Sequence, residues 1–325
     1  VPVIAALLAY AALLGFAGDR VLTRASWASR HPRAALRAWH ACAFTFLVTI
    51  TATLVLTAHD LWEHAVVWLF HAGKPQVHAA YAGSWHIEGV ADGAVLLLLL
   101  AATAVTALAA HRFLAVRRER DRARLITDAL GSRGAGGLAD VHILDDAEPT
   151  AFCVPGGRGR DRIVVSRGTV DLLTEEQLAA AVTHERGHLR LAHHRMILAA
   201  EVVTAAVGWS GALRGYAHQV RRLSEMAADD HAAAVHGSRT VASALLEMCT
   251  VGPPAEGSAT LALSGPDPAE RIRRLLAARP GQGRRLLPVL IGCATATVLV
   301  LPAVMVLGPA FAVADTAHCL EQCPR

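Results

Sequence analysis

The sequence predicts an α-helical membrane protein with four transmembrane helices and a cytoplasmic, mostly helical α+β domain held between the third and the fourth. Three observations carry this. The 325-residue chain is 54% hydrophobic and only 18% charged, with a mean hydropathy of +0.38, too apolar for a soluble domain of this length. Four uncharged runs are long enough to span a bilayer, and arginine-rich stretches adjoin them. The one long polar segment carries His184-Glu185-Arg186-Gly187-His188, a pattern that suits a metal site on a helix.

The runs come in order. Residues 2–18 form the first, followed by Arg20, Arg24, Arg30, Arg33 and Arg37. A signal peptide is the alternative reading, but no basic stretch precedes the run. Residues 41–58 form the second span, and 59–89 then hold Lys74 as their only Lys or Arg. Residues 93–110 form the third, and Arg112, Arg117, Arg118, Arg120, Arg122 and Arg124 follow at once. Residues 286–313 form the fourth, just after Arg284 and Arg285, with Pro302 and Pro309 tolerable as kinks in a bilayer helix. The positive-inside rule therefore places 19–40 and 111–285 in the cytoplasm and both termini outside, in a multi-pass protein of the plasma membrane. The expected organisation is a membrane domain over 1–111, a cytoplasmic domain over 112–285, and the fourth span with a short outer tail over 286–325.

Within the soluble part, 112–130 reads as a basic helix leaving the membrane and 131–137 as a glycine-rich turn. Residues 141–144, 151–154 and 162–166 are short strand candidates punctuated by Asp, Pro and Gly. Thr174 with Gln177 forms a capping box that starts the next helix, and Glu175 and Glu176 suit its N-terminus. On that helix His184 and His188 share a face, so their imidazoles can take adjacent corners of one tetrahedral zinc. Glu185 lies beside them as a candidate base. A zinc centre needs a third ligand and keeps an open position. Glu225 can supply the ligand, and Asp229, four residues on, can accept a hydrogen bond from a ligating histidine. The plain alternatives are two unrelated histidines and an ordinary solvated helix face. Gly187 costs about 1 kcal/mol in a helix but lets a neighbour pack closely.

His-Glu-x-x-His followed by Glu-x-x-x-Asp resembles the gluzincin pattern. The stretches I-V-V-S-R-G (163–168), T-E-E-Q-L (174–178), H-E-R-G-H-L (184–189), E-M-A-A-D (225–229) and D-P-A-E-R-I-R-R-L-L (267–276) are similar to the BlaR/MecR-type membrane metallopeptidases. HtpX-type and prenyl-protease enzymes are close relatives of these. The resemblance implies a gluzincin-type protease domain and one Zn2+ per chain, held by His184, His188 and Glu225. It makes Glu185 the catalytic base and places Asp229 behind a ligand. It also implies a protein or peptide substrate. Two roles fit: a signalling protease that cleaves a cytoplasmic repressor of winged-helix type, or a membrane-protein quality-control protease. A catalytically idle zinc-containing receptor is the third reading, against which the intact Glu185 argues. The substrate would add as a strand to the edge at 150–154.

Other features are assigned plainly. Cys153 reads as a small buried hydrophobe rather than a reactive thiol. His193, His194, His231 and His236 are candidates for an oxyanion partner. Residues 196–213 read as a helix packed in the domain or against the membrane surface, with a re-entrant hairpin as the alternative. A full crossing there would put Glu225 and His184 on opposite sides of the bilayer. Arg271, Arg273 and Arg274 read as a basic face near anionic lipid. No recognition-helix pattern supports direct nucleic-acid binding. The outer loop holds His59, His64, His71, His78 and His86, and the tail His318, Cys319 and Cys323, which could sense a transition metal or acid or simply sit at the membrane interface.

Overall fold

The computed structural model describes residues 2–57, 67–68, 90–134, 138–156, 161–251, 268–277 and 286–321. Among these, four helices are long and apolar enough to cross a membrane: Val3–Arg24, Pro32–Thr57, Gly93–Leu130 and Leu286–Pro309. The first is built from α1 (Pro2–Ala12), a π-helical turn (Leu13–Gly18) and α2 (Asp19–Arg24); α3 spans Pro32–Thr57. Helix α4, Val90–Leu130, runs unbroken for 41 residues, about 60 Å. That is twice the hydrocarbon thickness of a bilayer, so the apolar run and the basic stretch after it form one rod. The outer-loop histidines and Cys323 lie outside the described residues.

The sheet is small. Strands β1 (Ser132–Arg133), β2 (Val141–Leu144), β3 (Ala151–Val154) and β4 (Arg162–Ser166) line up in the order β1-β2-β4-β3. Strand β1 pairs antiparallel with β2 through Ser132 and Ile143, so the expected glycine-rich turn begins as a strand. Strands β2 and β4 are parallel, and β3 pairs antiparallel with β4, leaving β3 at the edge. After β4 come α5 (Arg167–Leu172), capped by Ser166, and α6 (Glu175–Arg190). The capping box is formed: Thr174 N–H donates to Gln177 Oε1 at 2.9 Å and Gln177 N–H to Thr174 Oγ1 at 3.3 Å.

Helix α7 (His193–Val207) runs out and α8 (Tyr216–His236) runs back against it. The chain reverses between them through a 3-10 turn (Gly208–Ser210), Gly211 at φ +85° and Leu213 at φ +52°. The tip of this hairpin docks on the first apolar helix. Leu213 N–H donates to Gly15 O at 3.1 Å, and Asp19 Oδ1 accepts from Gly215 N–H at 3.0 Å, at the start of α8. A Cβ on Gly15 would meet the Phe46 ring at 2.9 Å and Ala212 Cβ at 3.0 Å, so only glycine admits the tip this closely. Segment 196–213 therefore turns back and packs against the apolar helices. One core joins Leu14, Trp39 and Phe46 to Ile197, Leu213, Tyr216 and Met226, across the expected boundary at 111/112. Trp39 stacks on Tyr216 with ring centroids 5.9 Å apart.

Helices α9 (Ser238–Val251), α10 (Pro268–Ala277) and α11 (Leu286–Glu321) complete the chain. Pro302 lies inside α11 and has no N–H to offer Val298 O. The Tyr10 hydroxyl donates to that carbonyl at 3.0 Å, so another helix satisfies the group that the proline frees.

Candidate metal centre

Two helices and a third behind them build the site. Helix α6 presents His184, Glu185 and His188; α8 presents Glu225 and Asp229. The helices can approach because position 187 is glycine: a Cβ there would meet His231 Cδ2 at 3.2 Å, His231 Cβ at 3.3 Å and Ala228 Cα at 3.4 Å. His184, Glu185, His188, Glu225 and Asp229 are each 3% exposed or less.

His184 Nε2 and His188 Nε2 lie 3.1 Å apart. Each is 3.5 Å from a Glu225 carboxylate oxygen. Zinc bonds of about 2.0–2.1 Å in a tetrahedron separate their ligand atoms by about 3.3 Å. The three side chains therefore have the spacing a zinc ion requires, and they form the His-His-Glu cluster able to hold a metal among the described residues. Two neutral imidazoles and a carboxylate are also a donor set that suits zinc.

The ligand atoms are held from behind. Asp229 Oδ1 lies 3.0 Å from His184 Nδ1. Arg271, on α10, grips the same carboxylate with Nε at 2.9 Å from Oδ2 and Nη2 at 2.7 Å from Oδ1, and its Nη1 lies 3.1 Å from Glu225 Oε2. Arg271 is 1% exposed. This corrects the expected basic face: Arg271 points into the site, and Arg274 pairs with Asp230 and donates to the Ser29 and Met226 carbonyls. Sequence reasoning missed Arg271 as a site residue. The signal was its spacing from Leu275, one turn on, which is 3% exposed and marks the buried face of α10.

Charge follows from these contacts. Burial pushes Glu185 up to about 8, against the pull of His184. Neither of its oxygens has a conventional hydrogen-bond partner among the described residues, the Cys153 thiol on β3 being its polar neighbour. Burial, with Glu185 alongside, holds that thiol well above the usual range, which suits an inert, protonated cysteine. Burial works against a charged His184, but Asp229 and Glu225 outweigh it and hold the imidazole at about 9. His188 has no such carboxylate behind it, and burial takes it down to about 4. For Glu225, burial is outweighed by His188 and Arg271, which bring it to about 2.

The candidate oxyanion histidines are placed differently. His193 Nδ1 lies 3.1 Å from His188 Nδ1, behind the ligand. His236 Nε2 is 2.8 Å from Thr183 Oγ1, and His231 packs on Gly187. His194 is half-buried near Arg120.

The family model described as Peptidase family M48 matches residues 116–279, half of the chain and all of this site. The chain belongs to peptidase family M48. A curated relative, the protease HtpX homolog of Sulfurovum sp. (strain NBC37-1), is 26% identical over 81 residues. That match covers 25% of this chain and 29% of the relative. No solved structure matches the chain significantly.

Proposed function

We propose that this M48 chain is a membrane-embedded zinc endopeptidase with its active site on the cytoplasmic side. The convergence of His184 Nε2, His188 Nε2 and Glu225 at tetrahedral spacing, with the buried Glu185 carboxylate beside them, carries the reading. His184, His188 and Glu225 would hold the metal. Bound zinc supplies Lewis acidity, which polarises the scissile carbonyl and makes water acidic at neutral pH. Glu185, buried beside the ligands with both oxygens free of a conventional hydrogen-bond partner among the described residues, would take the proton of the attacking water as a carboxylate, the form a bound cation favours, and pass it to the leaving amine. Asp229 Oδ1, 3.0 Å from His184 Nδ1, is placed to take that proton and fix the ring when Nε2 holds the metal, while Arg271 balances the two carboxylates. Strand β3, at the edge of the sheet and packed against α6, is the edge to which an extended peptide would add, with Cys153 facing Glu185.

For the biological role we favour a signalling protease that cleaves a cytoplasmic transcriptional repressor. The BlaR/MecR-like wording of the motifs and the site's place between the third and fourth apolar helices support it. A quality-control protease is the second reading, favoured by the match to an HtpX homolog. The test compares cells carrying wild type, Glu185→Gln and Glu225→Ala. Glu185→Gln should keep stoichiometric zinc and lose cleavage; Glu225→Ala should lose tight zinc. A fully active Glu185→Gln protein removes the proposed base. Among proteins that accumulate with Glu185→Gln, a soluble repressor supports signalling, and damaged membrane proteins support quality control.

A further inference from the structure

The two histidines of the metal centre are backed by unlike partners. His184 Nδ1 faces a carboxylate, Asp229, at 3.0 Å. His188 Nδ1 faces a ring nitrogen, His193 Nδ1, at 3.1 Å. The two rings meet edge to face, with centroids 4.9 Å apart and planes at 84°. His193 is 1% exposed. The backbone goes out of its way to bring it there. Leu191 ends α6, Ala192 takes φ +53°, and His193 is the first residue of α7. A left-handed conformation costs a non-glycine residue about 1–2 kcal/mol, and it folds α7 back so that His193 lies on His188.

Two ring nitrogens this close share one proton. The Nε2 atom of His188 is the one that converges with His184 and Glu225. If Nε2 binds a metal, the neutral ring carries its proton on Nδ1 and must donate from there. His193 Nδ1 is the acceptor in reach. We propose that His193 is a positioning residue: it accepts the Nδ1–H of His188 and so fixes the tautomer and ring angle that present His188 Nε2 to zinc. The proposal rests on reading His184, His188 and Glu225 as ligands. A neutral acceptor makes physical sense here. Glu185, Glu225 and Asp229 are already buried at the site against Arg271, and another carboxylate behind His188 would add an unbalanced charge.

The experiment uses the full chain purified in detergent, as wild type, His193→Leu and His193→Asn. Leucine keeps bulk and removes the acceptor. Asparagine puts an oxygen at the same δ position. Zinc affinity is read by competition with a chromophoric chelator, and the ligand field by the visible bands of the Co2+-loaded protein. We expect His193→Leu to weaken zinc by about 10–100-fold and to shift the cobalt bands, with His193→Asn recovering most of both. Wild-type affinity in His193→Leu overturns the proposal. Equal losses in Leu and Asn overturn it too, because shape alone would then explain them. If His193→Leu does not fold, Co2+-loaded wild type decides: its proton spectrum should show two slowly exchanging, hyperfine-shifted N–H resonances, one per histidine ligand. A single one refutes the bond to His193. Wild type that takes up no stoichiometric zinc refutes the metal reading itself, a failure separate from the others.

Discussion

Arg271→Leu tests the arrangement most directly. The guanidinium makes contacts at 2.9 and 2.7 Å to Asp229 and at 3.1 Å to Glu225, and all three residues are 3% exposed or less. Leucine keeps much of the packing and leaves two buried carboxylates to share the protonated His184 as their one remaining close cation among the described residues. Breaking a buried pair from one side costs about 3–5 kcal/mol. For a domain of this size, each kcal/mol moves the melting point by about 2–4 °C, so Tm should fall by about 6–20 °C. The measurement is thermal unfolding of chelator-stripped protein in detergent. The pH dependence has a definite sign. With Arg271 present, Glu225 is held at about 2 and Asp229 is likewise lowered. Their stabilisation is present above the unfolded carboxylate range and lost as pH falls through the folded values. Without Arg271 both values rise, so the mutant's deficit should shrink toward pH 5, where protons can neutralise the carboxylates. Adding Asp229→Asn should restore part of the loss, with a coupling of about 1–3 kcal/mol. A Tm within about 2 °C of wild type would refute the reasoning. That is the behaviour of a solvated arginine facing lipid.

Two further predictions follow from the charges. In the metal-free protein His184 is held at about 9, so at neutral pH it carries a proton that a metal must displace. Zinc affinity should therefore rise by at least about one log unit per pH unit between pH 6 and 8; a flat profile over that range contradicts the ligand assignment. The arginine asymmetry predicts that reporter fusions at Gly137, Gly257 and the C-terminus read inside, inside and outside, and opposite readings at Gly137 and Gly257 would undo the proposed topology.

The sequence alone determined what is local or periodic. The four apolar runs, the capping box at Thr174 and Gln177, and the three main strands follow from patterns within a few residues. So does the i, i+4 pairing of His184 with His188 and of Glu225 with Asp229, because a helix fixes which residues share a face. The meeting of those two pairs was an expectation from chemistry, and the packing of α6 on α8 over Gly187 brings it about. Tertiary structure alone decided the rest. Arg271 and Arg274 read as solvated charges, since most arginines are; only the docking of α10 shows that carboxylates elsewhere in the chain hold them. His193 read as a candidate oxyanion partner, and only the left-handed Ala192 shows it turned onto His188 instead. Segment 196–213 was ambiguous by hydropathy, because an apolar helix looks the same whether lipid or protein covers it. Here the hairpin closes on Gly15, Phe46 and Asp19, and Tyr10 completes the carbonyl that Pro302 leaves bare. A local pattern records what a residue prefers to touch. Which distant residue satisfies that preference depends on long-range packing, and no short window of sequence contains it.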